Sequence, residues 1–81
     1  MSADDDLLGV LRAVLAVEDS DAPADNEVLA TSLGWDLERV SAALEQAKEL
    51  KLIWGHRGSR QPGPWFTELE VTVQGKRRLR S

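Results

Sequence analysis

An 81-residue chain has room for one domain with one core, so a second independent unit is excluded. Hydrophobic residues at 42% and charged residues at 30% fit a small folded domain and not a disordered chain. With no cysteine, one histidine and a net charge of −4, the composition excludes disulfide staples, thiol chemistry and histidine- or cysteine-based metal clusters.

In chain order, Asp4 to Asp6 supply N-cap and first-turn acids for a first helix. Leu7, Leu8, Leu11, Val14 and Leu15 recur at three- and four-residue spacing, which predicts an amphipathic helix ending near Glu18. Val10 and Val17 widen its apolar face, and Gly9 is placed for a close helix crossing. The stretch from Asp19 to Ala24 is polar and proline-broken, a loop with room for one short strand. Asp25 caps a second helix over 26–33 with Val28, Leu29 and Leu33 inward, and Gly34 ends it in a left-handed conformation. Asp36 caps a third helix from Leu37 to about Leu50, burying Leu37, Val40, Ala43, Leu44, Ala47 and Leu50. Two helices joined by a short glycine-containing turn form a helix-turn-helix arrangement. The period then changes. Residues 51–54 read as a short strand, 55–64 as a glycine- and proline-rich loop, and 65–71 as a second strand. Thr72 caps a final short helix that ends in Lys76, Arg77, Arg78 and Arg80. The fold class expected is mainly α with a small antiparallel β-hairpin, α-α-α-β-β-α, as one domain over 1–81.

No stretch approaches the roughly 20 apolar residues of a membrane span, and the acidic Met1 to Asp6 segment is unlike a basic secretory leader, so a cytoplasmic protein is expected. No Gly-x-Gly-x-x-Gly or P-loop spacing occurs, and His56 is the lone histidine, so neither an enzyme nor a cofactor or metal is expected. Charge is split along the chain. Residues 1–54 carry twelve acids and four bases, a net of −8, whereas residues 55–81 carry two acids and six bases, a net of +4. Such a split sets a surface that attracts polyanions against one that repels them, although solubility alone also calls for exposed charge.

Several segments carry a resemblance beyond element order. Glu27-Val28-Leu29-Ala30 through Leu33-Gly34-Trp35, then Val40, Ala43-Leu44 and Leu50-Lys51-Leu52-Ile53, and finally Thr72 to Leu79 with Gly75 resemble the helices, turn and strand of winged helix-turn-helix domains. The ending is similar to that of multiple-antibiotic-resistance-type and phenolic-acid-type transcriptional regulators of bacteria and phages. Lys51 stands near where a glycine is common. The match covers roughly residues 25–79, and it implies DNA binding, with the third helix in the major groove and the hairpin loop on phosphates or the minor groove.

Residue by residue, the third helix is unusual for that role. At 100° per residue its solvent stripe is Glu38, Ala42, Glu45 and Glu49, which a phosphate-lined groove repels. Only Arg39 and Gln46 on one flank, and Ser41 and Lys48 on the other, suit base edges. Arg57 and Arg60 in the loop and Lys76, Arg77 and Arg78 in the tail complete the candidate nucleic-acid residues. DNA binding by a small transcriptional regulator through the basic loop and tail is the first expectation. The other is a protein-interaction module that docks a basic partner on Glu38, Glu45 and Glu49, and the same row also fits a plain solvated helix face. Trp35 is expected in the core, and Trp54 and Trp65 are expected to face each other across the hairpin. A homodimer through the first and last helices is a further expectation.

Overall fold

The computed structural model describes residues 3–20, 22–61 and 63–80, in the order α1 (Ala3–Asp19), α2 (Asn26–Leu33), α3 (Leu37–Glu49), β1 (Ile53–Gly58), β2 (Trp65–Val71) and α4 (Val73–Arg80). This is the expected α-α-α-β-β-α order, mainly helical with one antiparallel hairpin. The caps act locally, as the sequence implies. The Asp25 carboxylate accepts from Val28 N–H and the Asp36 carboxylate from Arg39 N–H, both at 2.8 Å. Gly34 closes α2 at φ 72°, with its N–H donating to the Ala30 carbonyl. Thr72 Oγ1 accepts from Gly75 N–H at 3.1 Å and donates to the Lys51 carbonyl, so the same hydroxyl caps α4 and ties it to the end of α3. At the other end of the chain α1 begins at Ala3, so Asp4 to Asp6 fall inside its first turn and do not cap it.

Three helices and one strand lean on α1. Leu7, Val10, Leu11 and Val14 are fully buried, and Leu8, Leu15 and Val17 pack half-buried against the same core. Helices α2, α3 and α4 and strand β2 all contact it. Of the α1 residues that suggested a dimer, Val10, Leu11 and Val14 are buried within the chain, where α1 packs on α4, while Val17 is half-buried and Val73 of α4 is exposed. Gly9 lies against Trp35, in the turn between α2 and α3. A Cβ there would stand 2.8 Å from the Trp35 ring, so the missing side chain lets that indole close over α1. Val28 and Leu50, expected inward, are exposed, and Leu37 and Leu33 are only half-buried.

The hairpin departs furthest from expectation. Strand β1 runs from Ile53 to Gly58 and takes in four residues whose composition reads as loop. Ile53 pairs with Val71, Trp54 with Glu70, His56 with Thr67, Arg57 with Phe66 and Gly58 with Trp65, with a bulge on β2 between the second and third pairs. The bulge places Glu68 at φ 53°, a left-handed conformation uncommon for a side-chain-bearing residue. Both glycines of β1 face close neighbours: a Cβ on Gly55 would meet Leu69 Cδ2 at 2.8 Å, and one on Gly58 would meet the Trp65 ring at 3.5 Å. Among the described residues the polar loop after α1 adds one backbone bond to this sheet, Leu69 N–H to the Ala24 carbonyl at 3.1 Å.

One buried polar side chain ties the hairpin to the helices. Asn26 is fully buried at the start of α2. Its amide nitrogen donates to Ser41 Oγ at 2.8 Å and to the Pro64 carbonyl at 3.0 Å, and its oxygen accepts from Phe66 N–H at 2.8 Å. Three elements thus share one amide, and no buried side-chain polar atom among the described residues is left unpaired.

Candidate functional site

The solvent stripe of α3 is where helical periodicity puts it. Glu38, Ala42, Glu45 and Glu49 are all exposed, and Val40, Ser41, Ala43, Leu44 and Ala47 are buried behind them. From Glu38 to Glu49 the row spans about 16 Å at 1.5 Å per residue. Among the described residues none of its three carboxylates has an ion-pair partner.

The side chains of α3 expected to suit base edges, Arg39, Ser41, Gln46 and Lys48, differ in what holds them. Arg39 donates from Nε to Asp6 Oδ2 at 3.1 Å and from Nη2 to Oδ1 at 2.7 Å, a two-pronged clamp, and its guanidinium lies 3.7 Å above the Trp35 ring. The hydrogen bond to Arg39 holds the Asp6 carboxyl below the usual carboxylate range, and the same bond raises the Arg39 pKa. Ser41 is only 2% exposed and its hydroxyl accepts from Asn26, so it serves the core and reaches no base edge. Gln46 is half-buried beside Asp6, Arg39 and Ala42, in the shallow groove between α1 and α3. Lys48 is exposed and leans toward β1, its Nζ 3.5 Å from the Gly55 carbonyl.

The basic half divides into two patches. At the hairpin turn Arg57 is exposed, while Arg60 donates to Glu27 Oε2 at 2.8 Å and lies 4.3 Å over the Trp65 ring. Lys76, Arg77 and Arg78 are exposed on α4, whose buried side is Gly75 with half-buried Leu79. Helix α4 starts where β2 ends, at the far end of the strand from the turn. Trp65 and Val71 are six residues apart along β2, at most about 20 Å at 3.3 Å per residue, which separates the start of α4 from the turn.

The tryptophans are distributed differently from expectation. Trp35 packs against the core, as expected. Trp54 and Trp65 do not form a closing pair: Trp54 stands opposite Glu70 at the base of the hairpin and Trp65 opposite Gly58 at its tip. Trp65 is 3% exposed beneath Arg60, whereas Trp54 is 49% exposed with its ring edge-on to His56 at 4.9 Å. Sequence reasoning missed Asn26 and the partners of Arg39 and Arg60. Asp6 lies 33 residues before Arg39 and Glu27 lies 33 before Arg60, separations over which no helical or strand period applies. Among the described residues no group of three or more His, Asp or Glu side chains is arranged to hold a metal ion, and no helix is long and apolar enough to cross a membrane. Compared with known protein families, curated proteins and solved structures, the chain finds no match.

Proposed function

We propose that this chain is a winged-helix interaction module that docks a basic protein partner on the exposed face of α3. The observation that carries this reading is the row Glu38, Ala42, Glu45 and Glu49, exposed and without internal partners on the helix that the winged-helix resemblance would send into a DNA groove. A three-carboxylate face about 16 Å long repels a phosphate-lined groove but complements lysines or arginines spaced along a partner helix. Two of the side chains that would turn α3 toward bases support the same reading, since Arg39 is clamped by Asp6 and Ser41 is buried.

Transcriptional regulation by DNA binding is the second reading, favoured by Arg57 and Arg60 at the hairpin turn. For it, Arg60 has to exchange Glu27 for a phosphate. One experiment separates the two. Binding of a fluorescein-labelled helical peptide with lysine at every fourth position, and of a labelled mixed-sequence duplex, is measured from 50 mM salt upward. Under the docking reading the peptide binds, the triple variant Glu38→Gln, Glu45→Gln, Glu49→Gln loses it, and the duplex stays unbound. Duplex binding that strengthens in the triple variant, falls with salt at a log–log slope of about −3 and weakens on Arg57→Ala with Arg60→Ala overturns it in favour of DNA.

A further inference from the structure

Two of the three tryptophans of this chain carry one motif, and at Trp54 the imidazole of His56, 4.9 Å away and bonded by Glu68, stands where the other two have arginine. Trp35 carries the Arg39 guanidinium 3.7 Å above its ring, and that guanidinium is bound by Asp6. Trp65 carries Arg60 at 4.3 Å, and that guanidinium is bound by Glu27. In each case an indole face, an arginine and a carboxylate form a stack in which cation–π attraction and a charge-assisted hydrogen bond hold the same group. Trp54 has the indole and the carboxylates without the arginine. It is 49% exposed on the solvent face of the hairpin. Glu70 is its direct cross-strand partner, close enough on the same face for the two side chains to meet around one ligand. Glu68, aimed outward by the bulge, sits two residues from Glu70, its carboxylate 3.2 Å from His56 Nε2. Among the described residues no arginine or lysine lies over the Trp54 ring, and Glu70 has no ion-pair partner.

We infer that Trp54 and Glu70 form a receptor for an arginine side chain supplied by a partner protein. The guanidinium stacks on the exposed indole while Glu70 accepts from its edge, reproducing the Trp35–Arg39–Asp6 arrangement between two chains. Charge complementarity selects the occupant. Glu68 and Glu70, with Glu18 across the adjoining cleft, make the β2 side of this face anionic, so it draws a cationic segment and repels a polyanion. Arginine fits better than lysine, because only the planar guanidinium both stacks on an indole and bonds a carboxylate along its edge. The site is on the hairpin and stands or falls separately from docking on α3.

The test uses the full chain with 15N-labelled tryptophan, whose three indole N–H signals are assigned by single Trp→Phe variants. A Gly-Arg-Gly-Arg-Gly peptide is titrated against it, with matched lysine and citrulline peptides. The expected result is a shift of the Trp54 signal alone, in the order arginine, lysine, citrulline. Trp54→Ala, at a half-exposed position that leaves the core intact, should weaken arginine-peptide binding about fivefold, and Glu70→Gln about threefold. A Trp54 signal that does not move, equal binding of the citrulline or lysine peptide, or a Trp54→Ala variant that binds as well as wild type overturns the inference. Should the triple glutamine variant of α3 abolish peptide binding while Trp54→Ala leaves it unchanged, this inference fails and docking on α3 stands. Should Trp54→Ala weaken it while the triple glutamine variant binds as wild type does, the arginine site is on the hairpin.

Discussion

Replacing Asn26 by alanine should loosen the hairpin from the helices, at a cost that can be worked from its three bonds. The amide is fully buried and serves Ser41 Oγ, the Pro64 carbonyl and Phe66 N–H. Alanine leaves the Phe66 N–H unsatisfied in the core and removes the donor from two acceptors. An orphaned buried group costs about 1–3 kcal/mol and each lost bond about 1 kcal/mol, so the change should destabilise by roughly 3–5 kcal/mol. A chain of 81 residues has about 4–12 kcal/mol in total at 0.05–0.15 kcal/mol per residue, so this one amide holds about a quarter or more of it. With a urea m-value of about 1 kcal/mol/M, the midpoint of unfolding should fall by about 3 M or more. Ser41→Ala removes the acceptor of one Asn26 bond and should cost about 1 kcal/mol or more. The double variant should cost less than the sum, because the two side chains share a bond. Native-state amide exchange gives a second readout, since Phe66 N–H should lose most of its protection in Asn26→Ala. A loss under about 1 kcal/mol with an unchanged m-value would refute the view that this amide anchors the hairpin.

Three other changes test the packing. Gly75→Ala should destabilise by about 2 kcal/mol or more despite the better helix propensity of alanine, because the added Cβ would collide with the backbone carbonyl of Leu52 and stand 2.7 Å from Val71 Cγ1; thermal melting that rises instead would count against this placement of α4. Lys51 occupies φ 61° just past α3, where Leu52 N–H bonds the Ala47 carbonyl, so Lys51→Gly should stabilise by about 1 kcal/mol in urea titration, and a destabilised variant would contradict the strain. Because Arg39 lowers the Asp6 pKa from its ordinary 3.8, the contribution of this pair should be full above that value and fade as pH falls below it toward the folded-state value. Asp6→Asn should therefore flatten the acid limb of the stability curve below pH 3.8, and an unchanged limb would show the clamp to be absent in solution.

Much of the fold was legible because the signals were local. A carboxylate reaching a backbone N–H three residues on, as Asp25 and Asp36 do, or a glycine at a left-handed turn, as Gly34 is, depends on neighbours within one turn of helix. The acidic face of α3 followed in the same way from 100° periodicity, since burial of Val40, Leu44 and Ala47 leaves Glu38, Glu45 and Glu49 outside wherever the helix docks. Strand β1 was not legible. Gly55, His56, Arg57 and Gly58 have turn composition, and they form a strand because Trp65, Phe66 and Thr67 offer them backbone partners and close side-chain neighbours. Nor could sequence assign the charges. Arg39, Ser41 and Arg60 have the chemistry of DNA ligands, but Asp6, Asn26 and Glu27, 15 to 33 residues away, hold them instead. Periodicity along a chain determines which way a side chain points from its own element. Which groups it meets there depends on how separate elements pack, and that packing leaves the α3 carboxylates and Glu70 exposed and the Trp54 ring 49% exposed beside His56.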